Sequence, residues 1–162
     1  MTEFHFTAGD VEAASAVLLV TAEALIERGQ PLWPLASLTP QRLLRHYPLE
    51  SWRVAWHGEQ PVAAYSLLPS DPLFWPDDAP GEALYLHKLG VVPQCQGQGL
   101  AQVMLRRAVQ ETRERQRHWL KLDTASNRQK LRDLYTSIGF AEVGEKQVGP
   151  YLVTLLRLRV TS

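Results

Sequence analysis

The sequence predicts an α/β (α+β) fold: a mixed, mostly antiparallel sheet of about seven strands with about four helices. Three observations point to it. The spacing of apolar residues changes from helical to alternating at "SWRVAWHGEQPVAAYSLL", which contains two extended runs joined by "HGEQ". A strand-helix-strand-helix pattern follows from "ALYLHKLGVV" to "TSIGF". The chain then ends in "FAEVGEKQV" and "YLVTLLRLRV", two strand-like runs divided by "GP".

In chain order, "FHFTAGD" reads as a short strand entering a helix from Val11 to about Arg28, with Thr7 or Asp10 able to cap it and Gly29 ending it. The connector "QPLWPLASLTP" is punctuated by prolines. Thr39 followed by Pro40 marks a second short helix over Gln41 to Tyr47, closed by Pro48. In the hairpin, Val54 and Trp56, then Val62, Ala64, Ser66 and Leu68, alternate as one face of a sheet. "PSDPLFWPDDAPGE" is a loop with four prolines. A helix from Gly99 to about Arg117 carries Ala101, Met104, Leu105 and Ala108 on one stripe, with Arg106, Arg113 and Glu114 facing water. "HWLKLDT" is a strand. "SNRQKLRDLYTSIGF" is a helix capped by Ser126 or Asn127, with Leu131, Leu134, Tyr135 and Ile138 on one stripe and Gly139 as its stop.

At 162 residues the chain is expected to form a single domain, residues 1–162. The formal net charge of zero gives no electrostatic reason for nucleic acid as a partner. One cysteine, Cys95, forms no intrachain disulfide, and no Cys/His spacing suggests a zinc site, so no metal is expected. The N-terminal stretch "MTEFHFTAGD" is acidic and the nearby apolar run "AASAVLLV" is short, so the expectation is a cytoplasmic protein without a membrane partner.

The chemistry is concentrated in "VVPQCQGQGLA", residues 91–101. A strand that passes through a glycine-spaced turn into a helix aims unpaired amides at one point, at the positive end of the helix dipole. That arrangement suits a diphosphate. Gly97 and Gly99 allow close backbone approach, and no acidic residue lies between Val91 and Gln110. A dinucleotide fingerprint would need a glycine where Gln102 stands, and a P-loop would need Gly-Lys-Ser/Thr, which is absent.

What remains, Gln94-x-x-Gly97-x-Gly99 after "LGVVP", resembles the coenzyme A-binding motif of the Gcn5-related N-acetyltransferases (GNAT). "WLKLDTASNRQKLRDLYTSIGF" is similar to that family's following strand and helix, with Asn127 near the helix start, Tyr135 further along and a Gly-Phe exit. The order of elements matches the family's fold over nearly the whole chain, implying a sheet splayed in the middle. The resemblance further implies acetyl transfer from acetyl-CoA to a primary amine, without a covalent enzyme intermediate. The backbone of Leu89, Gly90 and Val91 would then bind the pantetheine arm, and the amide of Val91 would polarise the thioester carbonyl. The amides of Gln94, Cys95, Gln96, Gly97, Gln98, Gly99, Leu100 and Ala101 would hold the pyrophosphate.

Tyr135 matches the position of the family's general acid and also belongs to an apolar stripe; its ring can pack while its hydroxyl serves the cleft. Asn127 is either a cap or an added cofactor contact. His87 is the best side-chain candidate for the base, against the ordinary reading of a half-buried sheet residue, with Glu82 and Tyr85 as alternatives on the same strand. Cys95 as a nucleophile is disfavoured, having no histidine close in sequence. For the acceptor, Trp33 is either a cleft wall or a staple of the proline-rich turn, and "DPLFWPDD" is read as a solvated loop around a plug of Phe74 and Trp75. The preferred acceptor is a small-molecule, amino-acid-like amine, and the protein is expected as a monomer or homodimer. A protein lysine or N-terminus is an alternative acceptor; a coenzyme A-binding partner protein without transfer activity is a rival of another class.

Overall fold

The computed structural model describes residues 3–161. The first two residues of the acidic N-terminal stretch, and Ser162, lie outside the described residues. In chain order the elements are β1 (His5–Ala8), α1 (Val11–Glu27), α2 (Pro40–Leu43), β2 (Trp52–His57), β3 (Gln60–Leu68), β4 (Ala83–Val91), α3 (Leu100–Glu114), β5 (Trp119–Ala125), α4 (Gln129–Ile138), β6 (Ala141–Val148) and β7 (Tyr151–Arg159). The seven strands hydrogen-bond in the order β1-β2-β3-β4-β5-β7-β6. The pairs β1–β2, β2–β3, β5–β7 and β6–β7 are antiparallel and β4–β5 is parallel, so the sheet is mixed, as the sequence predicts.

The chain divides into two compact units: residues up to Leu67 with Lys88–Met104, and Leu68–His87 with the chain from Leu105 onward. In the first unit, α1 begins at Asp10, whose carboxylate accepts from the Ala13 amide at 2.9 Å. It ends in a Schellman motif: Gly29 turns left-handed (φ +73°), its amide bonds Ile26 O, and the Gln30 amide bonds Leu25 O. One face of α1 buries Val11, Ala14, Val17 and Leu18. Ser15 ties that face to the connector by donating to Leu38 O at 2.6 Å.

The second helix is shorter than expected. Thr39 does cap it, accepting from the Arg42 amide, and Pro40 is its first residue, but regular α geometry stops at Leu43. The chain then tightens into turns, with Arg45 and His46 bonding three residues back. β3 also departs from alternation: every residue from Val62 to Leu67 is buried, so both faces of this strand are covered.

In the second unit β5 and β7 pair over seven residue pairs, Trp119–Ala125 against Val153–Arg159. β4 and β5 pair over only three, from Ala83–Trp119 to Tyr85–Lys121. α3 stops at Glu114, short of Arg117. Gln116 takes φ +61°, its amide bonds Arg113 O and the Arg117 amide bonds Thr112 O, a Schellman ending made without glycine. α4 is capped neither by Ser126 nor by Asn127. Its N-cap is Arg128, whose side chain makes no capping bond; Ser126 Oγ is engaged with Thr154 Oγ1 at 2.8 Å, and Asn127 is exposed. Its end is the expected glycine stop: the Gly139 amide bonds Thr136 O and the Phe140 amide bonds Tyr135 O. That turn seats the Phe140 ring edge-on to Tyr135, with centroids 5.9 Å apart.

Candidate active site

The glycine turn lies in the first unit. Between β4 and α3 the sequence forms a 3₁₀ turn, Pro93–Cys95, before the two glycines. Gly97 and Gly99 have φ of +78° and +81°, and a Cβ at either would meet nothing within 4 Å. They are glycines because of backbone conformation, and the space above them is open. α3's own ladder begins with the Val103 amide on Gly99 O at 3.1 Å, which leaves the amides of the preceding turn without intrahelical partners.

The structure narrows the cradle expected over residues 94–101. The Cys95 amide bonds Val92 O and the Gln96 amide bonds Pro93 O, so both donors are used inside the 3₁₀ turn. The expected donors not used there are those of Gln94, Gly97, Gln98, Gly99, Leu100 and Ala101. The Gln94 carbonyl and the Gln96 side chain also shape the turn. Gln94 O accepts from Gln98 Nε2 at 3.1 Å, and Gln96 Nε2 donates to Val91 O at 2.9 Å while its Oε1 accepts from Arg28 Nη1 at 3.4 Å. Cys95 is buried. In the strand before the turn, a Cβ on Gly90 would stand 3.1 Å from Leu18 Cδ2, so glycine sets how closely β4 lies on α1. Lys88 opens this stretch with a left-handed φ of +56°. Its ammonium lies over Trp33, 5.3 Å from the ring centroid, and 6.0 Å from that of Tyr47.

The acid–base candidates lie in the second unit. His87 Nε2 is 2.9 Å from Asp71 Oδ2, and both side chains are largely shielded, at 13% and 8% exposure. Asp71 is held by its own loop: its carbonyl accepts from the Trp75 amide at 2.9 Å and its Oδ1 from the Phe74 amide at 3.4 Å. Asp123 on β5 completes the group, with one donor atom each from Asp71, His87 and Asp123 within 4.8 Å of one another. The set has the composition of a cation site as well as of a proton relay. Asp123 also acts on Tyr135. Burial, and then the Asp123 charge, push the Tyr135 phenol above its ordinary value, so it stays protonated well into alkaline pH. A buried protonated phenol is a donor, as a general acid must be.

Tyr85 binds the proline-rich loop, and Glu82 lies just outside β4. Tyr85 is buried and donates to Asp78 Oδ2 at 2.6 Å; burial first, then this bond, raises its phenol above the ordinary value. Asp78 Oδ2 also accepts from Lys121 Nζ at 2.7 Å, and that ammonium lies 4.7 Å from the centroid of Trp75. Lys146 Nζ adds a bond to Leu73 O at 2.6 Å. The proline-rich loop is thus pinned to β4, β5 and β6 around Trp75. Glu82 stands just before β4, where its carbonyl accepts from the His118 and Trp119 amides. It is five positions before His87, about 17 Å along an extended chain.

The mixed seven-stranded sheet and the left-handed glycine turn that opens α3 are those of an acyl-transferring enzyme of the acetyl-CoA class. The model of the acetyltransferase (GNAT) family matches residues 21–140, and the chain belongs to that family. The chain is similar to the uncharacterized N-acetyltransferase YesJ of Bacillus subtilis (strain 168), at 28% identity over 149 residues, covering 88% of this chain and 83% of that protein. Among solved structures, the ribosomal-protein-S18-alanine N-acetyltransferase from Escherichia coli superposes with a TM-score of 0.73 at 16% identity, covering 99% of this chain and 96% of that one. The acetyltransferase yncA from Salmonella typhimurium, determined with its cofactor acetyl-CoA, gives 0.72 at 17% identity, covering 98% and 94%. Among the described residues no helix is long and apolar enough to cross a membrane.

Proposed function

We propose that the chain transfers an acetyl group from acetyl-CoA directly to the primary amine of a small, amino-acid-like acceptor, both units acting as one domain over residues 1–162. The observation that carries this reading is the left-handed Gly97 and Gly99 pair opening α3, in a chain of the GNAT family. The amides of Gly97 through Ala101 hold the pyrophosphate without side-chain charge. The backbone of Leu89, Gly90 and Val91 lines the pantetheine arm, and Asn127 adds a polar contact to the donor. The Val91 amide meets the thioester oxygen as negative charge builds there, which in comparable sites is worth about 3 kcal/mol of barrier.

Two proton movements complete the reaction. His87, oriented by Asp71, takes the proton of the acceptor ammonium so that a neutral amine attacks the thioester carbon. The C–N bond forms, the C–S bond breaks, Tyr135 gives its proton to the departing thiolate, and the second proton of the former ammonium, shed as the amide forms, restores the phenol. Trp33 is assigned to the acceptor side.

Protein N-termini are the second acceptor reading, favoured by the similarity in fold to the ribosomal-protein-S18-alanine N-acetyltransferase of Escherichia coli. A screen reading free-thiol release separates the two, with small amines, lysine peptides and Ala-starting peptides as its arms. Turnover with small amines alone supports the proposal, and turnover with peptides alone replaces its acceptor. Acetyl-CoA binding with no thiol release in any arm favours a coenzyme A-binding partner protein.

A further inference from the structure

Two residues after Tyr85 on β4 comes His87, and two after Lys121 on β5 comes Asp123. Alternate residues of a strand share a face. Tyr85 and Lys121 are themselves partners, the last pair in the three-pair register of β4 with β5. The strands thus offer two successive levels on one face, and the proline-rich loop lays a carboxylate on each. At the paired level Asp78 Oδ2 accepts from Tyr85 at 2.6 Å and from Lys121 Nζ at 2.7 Å. At the next level Asp71 Oδ2 stands 2.9 Å from His87 Nε2, in the group that Asp123 completes. All of these residues belong to the second unit. Between the two aspartates the loop folds on itself: the Trp75 amide bonds Asp71 O at 2.9 Å, and the Asp78 amide bonds Trp75 O at 3.4 Å. Two linked turns join the carboxylates, so fixing one end restrains the other.

Lys121 is only 5% exposed. A buried ion pair seldom stabilises a fold more than apolar side chains of the same volume would, so stability alone does not account for an ammonium in this strand. What the pair supplies is direction. Asp78 is met by two donors from two different strands, and Trp75 lies against the ammonium, 4.7 Å from ring centroid to Nζ. We propose that Lys121 is a positioning residue for the base: through Asp78, with Tyr85 as the second donor, it sets the loop so that Asp71 meets His87 Nε2. The proposal rests on the acetyl-transfer reading above, in which His87 is the base, and adds what holds the base's partner in place.

The test follows the wild type, K121M, K121R, D71N and the K121M/D71N double variant by two readouts. One is thiol release from acetyl-CoA with the most active amine of the screen above. The other is the His87 imidazole signal in nitrogen-15 NMR spectra, identified by its loss in H87A. In K121M kcat falls about fivefold with KM for acetyl-CoA unchanged, and the His87 signal moves toward its position in D71N. K121R keeps the charge, most of the turnover and the wild-type signal. Adding K121M to D71N costs less than about twofold more, because the contact that Lys121 sets is already gone. Y85F removes only one of the two donors to Asp78 and gives the same changes on a smaller scale, so it carries the test if K121M does not fold. Calorimetric binding of acetyl-CoA reports the folding of each variant. A His87 signal unchanged in K121M and Y85F overturns the proposal, as do losses from K121M and D71N that simply multiply. Acetyl-CoA binding by the wild type with no thiol release removes the acetyl-transfer reading, and the imidazole spectra then decide by themselves whether Lys121 sets Asp71 on His87.

Discussion

The glycine turn of the first unit and the Asp71–His87–Asp123 group of the second handle charge in opposite ways. The turn has no ionisable side chain among residues 91–101 other than a buried thiol, and presents backbone amides fixed by two left-handed glycines. The second group gathers two carboxylates and an imidazole and places Tyr135 under the influence of one of them. The difference matches the tasks proposed for them. Binding a permanently charged diphosphate calls for fixed dipoles, whereas moving protons calls for groups that change charge.

Gly99→Val breaks the binding side most completely. A β-branched residue cannot hold φ near +80° without strain, so acetyl-CoA affinity falls about 100-fold, roughly 2.7 kcal/mol, by calorimetry. Unchanged affinity would move the anion site elsewhere. On the other side, Tyr135→Phe lowers kcat about 100-fold with acetyl-CoA affinity retained. Normal turnover would leave Tyr135 as core alone. His87→Ala flattens the alkaline-rising limb of the pH–rate profile, and an unchanged profile would remove it as the base. Asp71→Asn, which leaves the imidazole in place but loosens it, lowers kcat by only about tenfold.

The smallest effect concerns stability. The folded chain holds the Tyr85 and Tyr135 phenols above their ordinary value, so the unfolded chain deprotonates first as pH rises. Stability from both is complete below about pH 10 and is lost above it. Thermal unfolding against pH shows this decline in the wild type and a shallower one in Tyr135→Phe.

Features encoded by neighbouring residues are the ones the sequence makes legible. Asp10, Thr39, Gly29 and Gly139 each act within a few residues of themselves, and each does in the structure what its position predicts. The glycine turn is legible for the same reason. The end of α3 is not, since Gln116 takes a conformation that sequence patterns reserve for glycine. Nor is the bare start of α4, because Ser126 finds its partner 28 residues away in Thr154. The acid–base group is the extreme case. His87 stands out by residue type, but Asp71 reads as one acid of a loop and Asp123 as one position of an alternating strand. Only the folding of that loop and strand around β4 brings the three together. Lys88 and Tyr47 escaped for a like reason: a left-handed lysine in a strand leaves no trace in the pattern of apolar residues.

Gly90 couples two positions that are far apart in the chain. With 3.1 Å between its missing Cβ and Leu18 Cδ2, a methyl group at position 90 must push back the leucine or lift the strand. In the proposed donor site the depth of the arm would therefore be gauged by a residue on α1 as well as by the glycine turn. Gly90→Ala alone is destabilising, and Leu18→Val alone opens a small void; made together, each relieves the other. In a double-mutant cycle their effects fall short of the sum. Sequences that diverge from this one are expected to change these two positions as a pair.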